Sequence, residues 1–172
     1  MSKKRIIEKV GRWDVAGLFT RNLKKDIPEE LKVVSRQIGL EAEALVKKYI
    51  VSQQGFSDSK YKWSKLSDAY VAYKKRKKLS NKTLIATSSM VQSITSIAIY
   101  PKIFIGVKRG TKNKEGDDLT NIAATMEFGS EKRNIPERPY LRPVNDIMKH
   151  KIEKENLVGK RIMEFLKKKY SI

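Results

Sequence analysis

Cysteine is absent from the 172 residues. Disulfides, thiolate zinc sites and cysteine nucleophiles are thereby excluded. Histidine occurs once, as His150 between Lys149 and Lys151, and a lone imidazole among like charges reads as solvated or structural. No apolar run approaches the roughly 20 residues that a spanning helix needs, so no membrane segment is expected. The basic start Met1-Ser2-Lys3-Lys4-Arg5 is not followed by a sustained apolar stretch, and no signal peptide is expected. The chain carries no phosphate-cradling glycine loop, no nucleophile elbow and no His-rich metal pattern. Glu115, Asp117 and Asp118 lack the regular ligand spacing of a calcium loop. No catalytic residue, metal or cofactor is expected, and the chain is read as a non-enzymatic protein.

Acidic residues are also few. Against 38 Lys and Arg stand 19 Asp and Glu, for a formal charge of +19. Nucleic acid is one partner class for such a surface, through counterion release from phosphate. An acidic protein surface is the other. The basic residues are mostly Lys and form no base-reading motif, so non-specific contact is expected in place of sequence readout. The densest run is Lys74-Lys75-Arg76-Lys77-Lys78, within a stretch 55–86 that holds nine basic and two acidic residues. It reads as a phosphate-contacting patch or as a solvated helix end. Tyr61, Trp63, Tyr70 and Tyr73 precede or border it and could stack on bases, although that spacing also suits packing.

Proline is scarce, with five in the chain, yet Pro136, Pro139 and Pro143 fall within eight residues. Each fixes its own φ and restricts the residue before it, so Ile135, Arg138 and Arg142 are expected to be extended or in turns. Tyr140 and Leu141 are anchoring side chains on that stiff ribbon. Arg138 is expected to pair with a carboxylate, Glu127 being near in sequence.

The remaining pattern predicts an α+β fold, with a long N-terminal helix and C-terminal helices packed on a small antiparallel β-sheet. Residues 1–26 hold eight basic and three acidic side chains with Trp13, Leu18 and Phe19 among them. They read as an N-terminal arm, ending in a short helix, ahead of a single domain over 27–172. Asp26 is placed to cap the long helix and Pro28 to occupy its first turn. Ile27, Leu31, Val34, Ile38, Ala42, Leu45 and Tyr49 form its apolar stripe. Ser67 is placed to cap a second helix, and Thr87 or Ser88 a short third one. Ile97, Ile99, Ile103, Ile105 and Val107 alternate around Tyr100-Pro101-Lys102 and predict a hairpin. Helical spacing returns from Leu119 to Phe128. It recurs in Val144, Ile147, Met148 and Ile152, then in Ile162, Phe165 and Leu166 after a break near 156–159.

Three blocks, in order, resemble the tail-completion, or virion-morphogenesis, family of long-tailed bacteriophages of the Mu-like and lambdoid type. The first is Trp63-x-x-Leu66-Ser67-x-x-Tyr70-x-x-x-Lys74. The second is Leu84-x-x-Thr87-x-x-Met90-x-x-Ser93-Ile94. The third joins Glu127-Phe128-Gly129 to Ile135-Pro136-x-Arg138-Pro139-Tyr140-Leu141-Arg142-Pro143. Their order and spacing around an isoleucine-rich hairpin carry the resemblance, over roughly residues 60–145. Ser88 stands where that family has glycine, so a positive-φ turn there is in question. The loop 108–118 is longer than in that family, and a histidine usual before Glu-Phe-Gly is missing. The resemblance implies a structural virion protein of the neck or upper tail, assembled in the host cytoplasm. It further implies a homo-oligomeric ring, often hexameric, around the DNA passage, with other phage neck and tail proteins as partners. Trp13, Phe19, Trp63, Tyr70, Phe128, Arg138, Tyr140 and Leu141 are the candidate assembly residues.

Overall fold

The computed structural model describes residues 13–170, with side chains from residue 17 onward. One long helix, α1 (Trp13–Val51), is the spine. At about 1.5 Å per residue its 39 residues form a rod of about 58 Å. The expected break between arm and domain at 26–27 falls inside this rod. Pro28 lies within the helix instead of opening it, where it withholds one N–H from the ladder and its ring crowds the carbonyl four residues back. Asp26 does not cap α1. Its carboxylate accepts from the Tyr170 hydroxyl and pairs with the Lys169 ammonium.

Spacing explains what α1 buries. Val34, Ile38, Ala42, Val46 and Ile50 recur every four residues, joined by Tyr49, and all are buried. Burying a side chain such as Ile50, which is fully enclosed, is worth about 1.5–3 kcal/mol. Ile27, Leu31 and Leu45 of the expected stripe are only half-buried.

Against this stripe lies an antiparallel hairpin, β1 (Ile94–Ile99) and β2 (Lys102–Val107). Its alternation works as expected, but the two strands send different residues inward. Ile94, Ile103, Ile105 and Val107 join the core around α1. Ile97 lies opposite Phe104 on the outer face, and Ile99 opposite Lys102. Ile97, Ile99, Tyr100 and Phe104 are all exposed. Glu43 of α1 fixes the register by accepting from both the amide and the hydroxyl of Ser96.

Short elements close the core. A single 3-10 turn, Gln54–Phe56, follows α1. Then come α2 (Asp68–Arg76), α3 (Ser89–Ser93) and α4 (Leu119–Phe128). Ser67 caps α2 as expected, its side chain accepting from the Tyr70 amide. Asp118 caps α4 through the Thr120 amide. Ser88 precedes α3 at φ 61°, so the left-handed turn is kept without a glycine, and its side chain makes no cap.

The C-terminal pair is α5 (Leu141–Glu153) and α6 (Leu157–Tyr170). Arg142 is therefore helical, contrary to the proline-based expectation, because Pro143 sits in the first turn where its missing N–H costs nothing. Lys151 and Arg161 both pair with Glu41 and tie α5 and α6 to α1. Their charges hold the Glu41 carboxyl below the usual carboxylate range, the Lys151 hydrogen bond being the largest cause. No described helix is long and apolar enough to cross a membrane.

Candidate functional site

The proline segment crosses the molecule as a strap between α4 and α5. Gly129 lets it pass. Its φ is +75°, and an added Cβ would lie 2.9 Å from the Glu137 amide nitrogen and 3.0 Å from the Ile135 carbonyl oxygen. Backbone occupies the space that a side chain would need. The Ser130 and Ile135 backbones bond to each other in both directions and close the loop between them. The Arg138 amide then donates to the Met126 carbonyl at 2.7 Å.

Glu127, only 1% exposed, holds the far end of the strap. Its carboxylate accepts from the amides of Tyr140 (2.7 Å), Leu141 (2.9 Å) and Arg142 (3.1 Å). It also accepts from the Arg142 Nε at 3.2 Å, while Nη2 donates to the Glu127 carbonyl and to Glu137. Tyr140, at the α5 N-cap position, makes no side-chain cap. The Glu127 carboxylate supplies that cap from another helix, at the positive end of the α5 dipole.

Arg138 does not pair with Glu127. Its Nε and Nη2 donate to the carbonyls of Ser64 and Lys65, at 3.1 and 3.3 Å. The reason is geometric: Arg142, on the first turn of α5, already reaches the Glu127 carboxylate. Burial pushes the Arg138 guanidinium below the usual arginine range.

Trp63 joins this knot from the other side. Its indole Nε1 donates to the Pro139 carbonyl at 2.7 Å. Gly55 packs flat on the indole, where a Cβ would fall 2.1 Å from the ring. Tyr140 is 1% exposed, and its hydroxyl donates to the Ala123 carbonyl. Burial pushes its hydroxyl well above the ordinary tyrosine range.

These positions correct the expected assembly surface. Trp63 and Tyr140 are buried in the chain's own core and hold it together, so they offer no surface to a neighbour, and Arg138, 5% exposed, is committed mainly to the carbonyls of Ser64 and Lys65. Leu141 packs at the edge of the same core. Phe19 meets Tyr170 of α6 edge to face at 5.2 Å, so part of that ring is covered within the chain. The side chain of Trp13 lies outside the described residues. Phe128 and Tyr70 remain exposed, at 71% and 43%.

The basic run divides. Lys75, Arg76, Lys77 and Lys78 are exposed. Lys74 is 2% exposed, and its ammonium donates to the carbonyls of Lys82 (2.7 Å) and Ile85 (2.9 Å). It thus belongs to the interior and drops out of the surface patch. Burial alone pushes its ammonium below the usual lysine range.

Sequence reasoning missed Glu127 as a cap and Lys74 as a buried cation. A signal for the first existed: α5 begins without Ser, Thr, Asp or Asn at its N-cap, so its free amides needed an acceptor from elsewhere. No local signal marks Lys74. Among the described residues, no group of three or more His, Cys, Asp or Glu could hold a metal ion. The Asn113 side-chain amide donates to both Glu115 and Asp117, which knits those acids into their own loop.

Fold and strap define an α+β protein whose helix-and-hairpin scaffold closes around a buried carboxylate. The chain belongs to the family of the uncharacterized protein MJ0331 of Methanocaldococcus jannaschii. The two are 31% identical over 125 residues, covering 73% of this chain and 81% of the relative. No family model and no solved structure matches the chain.

Proposed function

We propose that this is a non-enzymatic structural protein of a phage neck or upper tail, assembling as a homo-oligomeric ring around the DNA passage and joining other neck and tail proteins. The observation that carries the reading is how the three blocks of the resemblance meet. Trp63 and the carbonyls of Ser64 and Lys65 bind the strap. Lys74 binds the carbonyls of Lys82 and Ile85, at the start of the second block. Glu127 binds the end of the strap. The shared residues are thus structural fasteners, as suits a protein that works by shape.

The ring contact in this reading is the outer face of the hairpin. Ile97, Ile99, Tyr100 and Phe104 are apolar and exposed, and Lys102 is the only charge between Ile94 and Val107. Copies bearing +19 each repel one another. An almost uncharged strip is where they can approach, and exposed apolar patches mark such contacts. A head-to-tail contact of this kind closes into a ring.

A second reading has its own observation. Lys75, Arg76, Lys77 and Lys78 form an exposed basic run beside the stacked pair of Tyr70 and Tyr73. That suits non-specific contact with nucleic acid, inside a ring or without one.

Native mass spectrometry separates the readings, applied to the protein alone and with the product of a neighbouring portal or tail-tube gene. A closed ring that is lost in Phe104→Glu supports the first. A monomer under all conditions, with strongly salt-dependent DNA binding and no structural virion genes nearby, supports the second.

A further inference from the structure

We propose that the groove between α2 and the strap is a docking site for an acidic segment of a partner protein, one carboxylate flanked by apolar side chains. The inference stands apart from the ring reading and would hold for either readout of the outer surface.

The groove encloses about 1750 Å³ and has Lys74 and Arg138 among its lining residues. Small-molecule pockets run to about 1,000 Å³, so this one has the size for a stretch of chain. Lys65, Lys77, Lys132 and Arg133 line it as well, but these four are exposed, whereas Lys74 and Arg138 are only 2% and 5% exposed. Each is bonded only to backbone carbonyls, and no salt bridge in the described residues includes either. Carbonyl dipoles compensate a buried charge only in part. A guanidinium has five N–H groups, and here only Nε and Nη2 have acceptors. No buried side-chain nitrogen in the described residues lacks a partner, so Nη1 is the edge of Arg138 that solvent reaches. Tyr70 also lines the groove, its ring centroid 5.8 Å from the Lys74 ammonium. An anion entering the groove therefore meets the Nη1 edge of Arg138, with the buried charge of Lys74 behind the same lining.

The lining decides what carries that anion. Leu66, Ile122, Met126 and Ile135 give the groove an apolar floor. Glu115, Asp117, Glu131 and Glu137 stand along its walls. Six basic residues share the lining with these four acids, so it is the apolar floor that favours a peptide over a nucleic-acid strand. A peptide with one acid between apolar residues places its carboxylate at Arg138 and Lys74 and its flanks on the floor. The chain's own residues 1–12 carry five basic and one acidic side chain and do not complement it.

The test uses the full chain and a capped, fluorescent hexapeptide with one glutamate among leucines and phenylalanines, read by fluorescence polarisation. Its glutamine twin, inorganic phosphate and oligothymidine are the comparison probes. The glutamate peptide is expected to bind at least about tenfold more tightly than its twin, and Arg138→Gln or Lys74→Met should abolish that preference. Phe128→Ala, which removes an exposed ring from the groove's edge, should weaken both peptides equally and leave the fold intact. It keeps the test decisive if Arg138→Gln does not fold. Absence of binding, equal binding of the two peptides, or a preference that survives Lys74→Met overturns the proposal. So does displacement of the peptide by oligothymidine or phosphate, which would assign the cations to nucleic acid or a free anion. Self-association that Lys74→Met abolishes would make the occupant a second copy and also overturn it.

Discussion

The Glu127 knot and the neighbouring groove both bury charge, and they treat it in opposite ways. In the knot a carboxylate meets three amides and an arginine, so every lone-pair direction has a donor. In the groove an ammonium and a guanidinium meet carbonyls and no carboxylate. The first arrangement fixes one geometry, because moving the strap would strand a buried charge. The second leaves charge available to something from outside. Matched burial makes a fastener, and unmatched burial beside an opening makes a receptor.

The largest expected effect breaks the knot. Glu127→Ala leaves three helix-end amides and the Arg142 Nε without their acceptor, and should cost about 3–5 kcal/mol in chemical denaturation. A cost below about 1 kcal/mol, the size of an ordinary hydrogen bond, would show that water replaces the carboxylate and that the contrast with the groove is only apparent. Gly129→Ala attacks the same strap through the backbone. With φ at +75° and the strap's backbone 2.9 Å from the new Cβ, it should cost about 1–3 kcal/mol.

Removing charge from the groove should do much less. Lys74→Met keeps the length of the side chain and removes a desolvated ammonium, so stability at neutral pH should change by no more than about 1 kcal/mol in either direction. The pH dependence sharpens this. The folded-state pKa of Lys74 is lowered by burial. Between that value and the unfolded value near 10.4, the unfolded chain binds more protons than the folded one. Wild-type stability should therefore rise with pH across that window relative to Lys74→Met. Parallel pH profiles for the two proteins would mean that the ammonium is not desolvated.

The smallest effect belongs to the surface. Gln at Lys75, Lys77 and Lys78 together should leave the denaturation midpoint almost unchanged, within about 0.5 kcal/mol per site. A large loss would mean that these exposed lysines hold structure, and the division of the run at Lys74 would fall.

Much of the fold was legible from local pattern. The hairpin followed from alternating β-branched residues, α2 from Ser67, the core stripe of α1 from its four-residue spacing, and the strap from its prolines. The start of α1 was misread because Asp26 and Pro28 form a plausible helix opening. Either residue is also tolerated inside a longer helix when other partners exist, and Asp26 finds them in Lys169 and Tyr170. In the candidate site, Arg138 was expected to meet Glu127 and instead meets the carbonyls of Ser64 and Lys65. Arg138 and Arg142 are each followed by a proline, and sequence distance does not say which one reaches Glu127.

By itself the sequence determined the periodic elements, the cationic surplus and the stiffness of the strap, because each depends on residue type and near neighbours. It also set the positions where a side chain is barred, although the reason at Gly129 is a strap that arrives six to eight residues later. Only the tertiary structure decided which charges are buried. Lys74 looks like its four basic neighbours until α2 packs it under residues 82–85. Glu127 looks like any acid in a last helical turn until α5 begins above it. Burial of a charge depends on what lies across from it, and that partner comes from distant sequence.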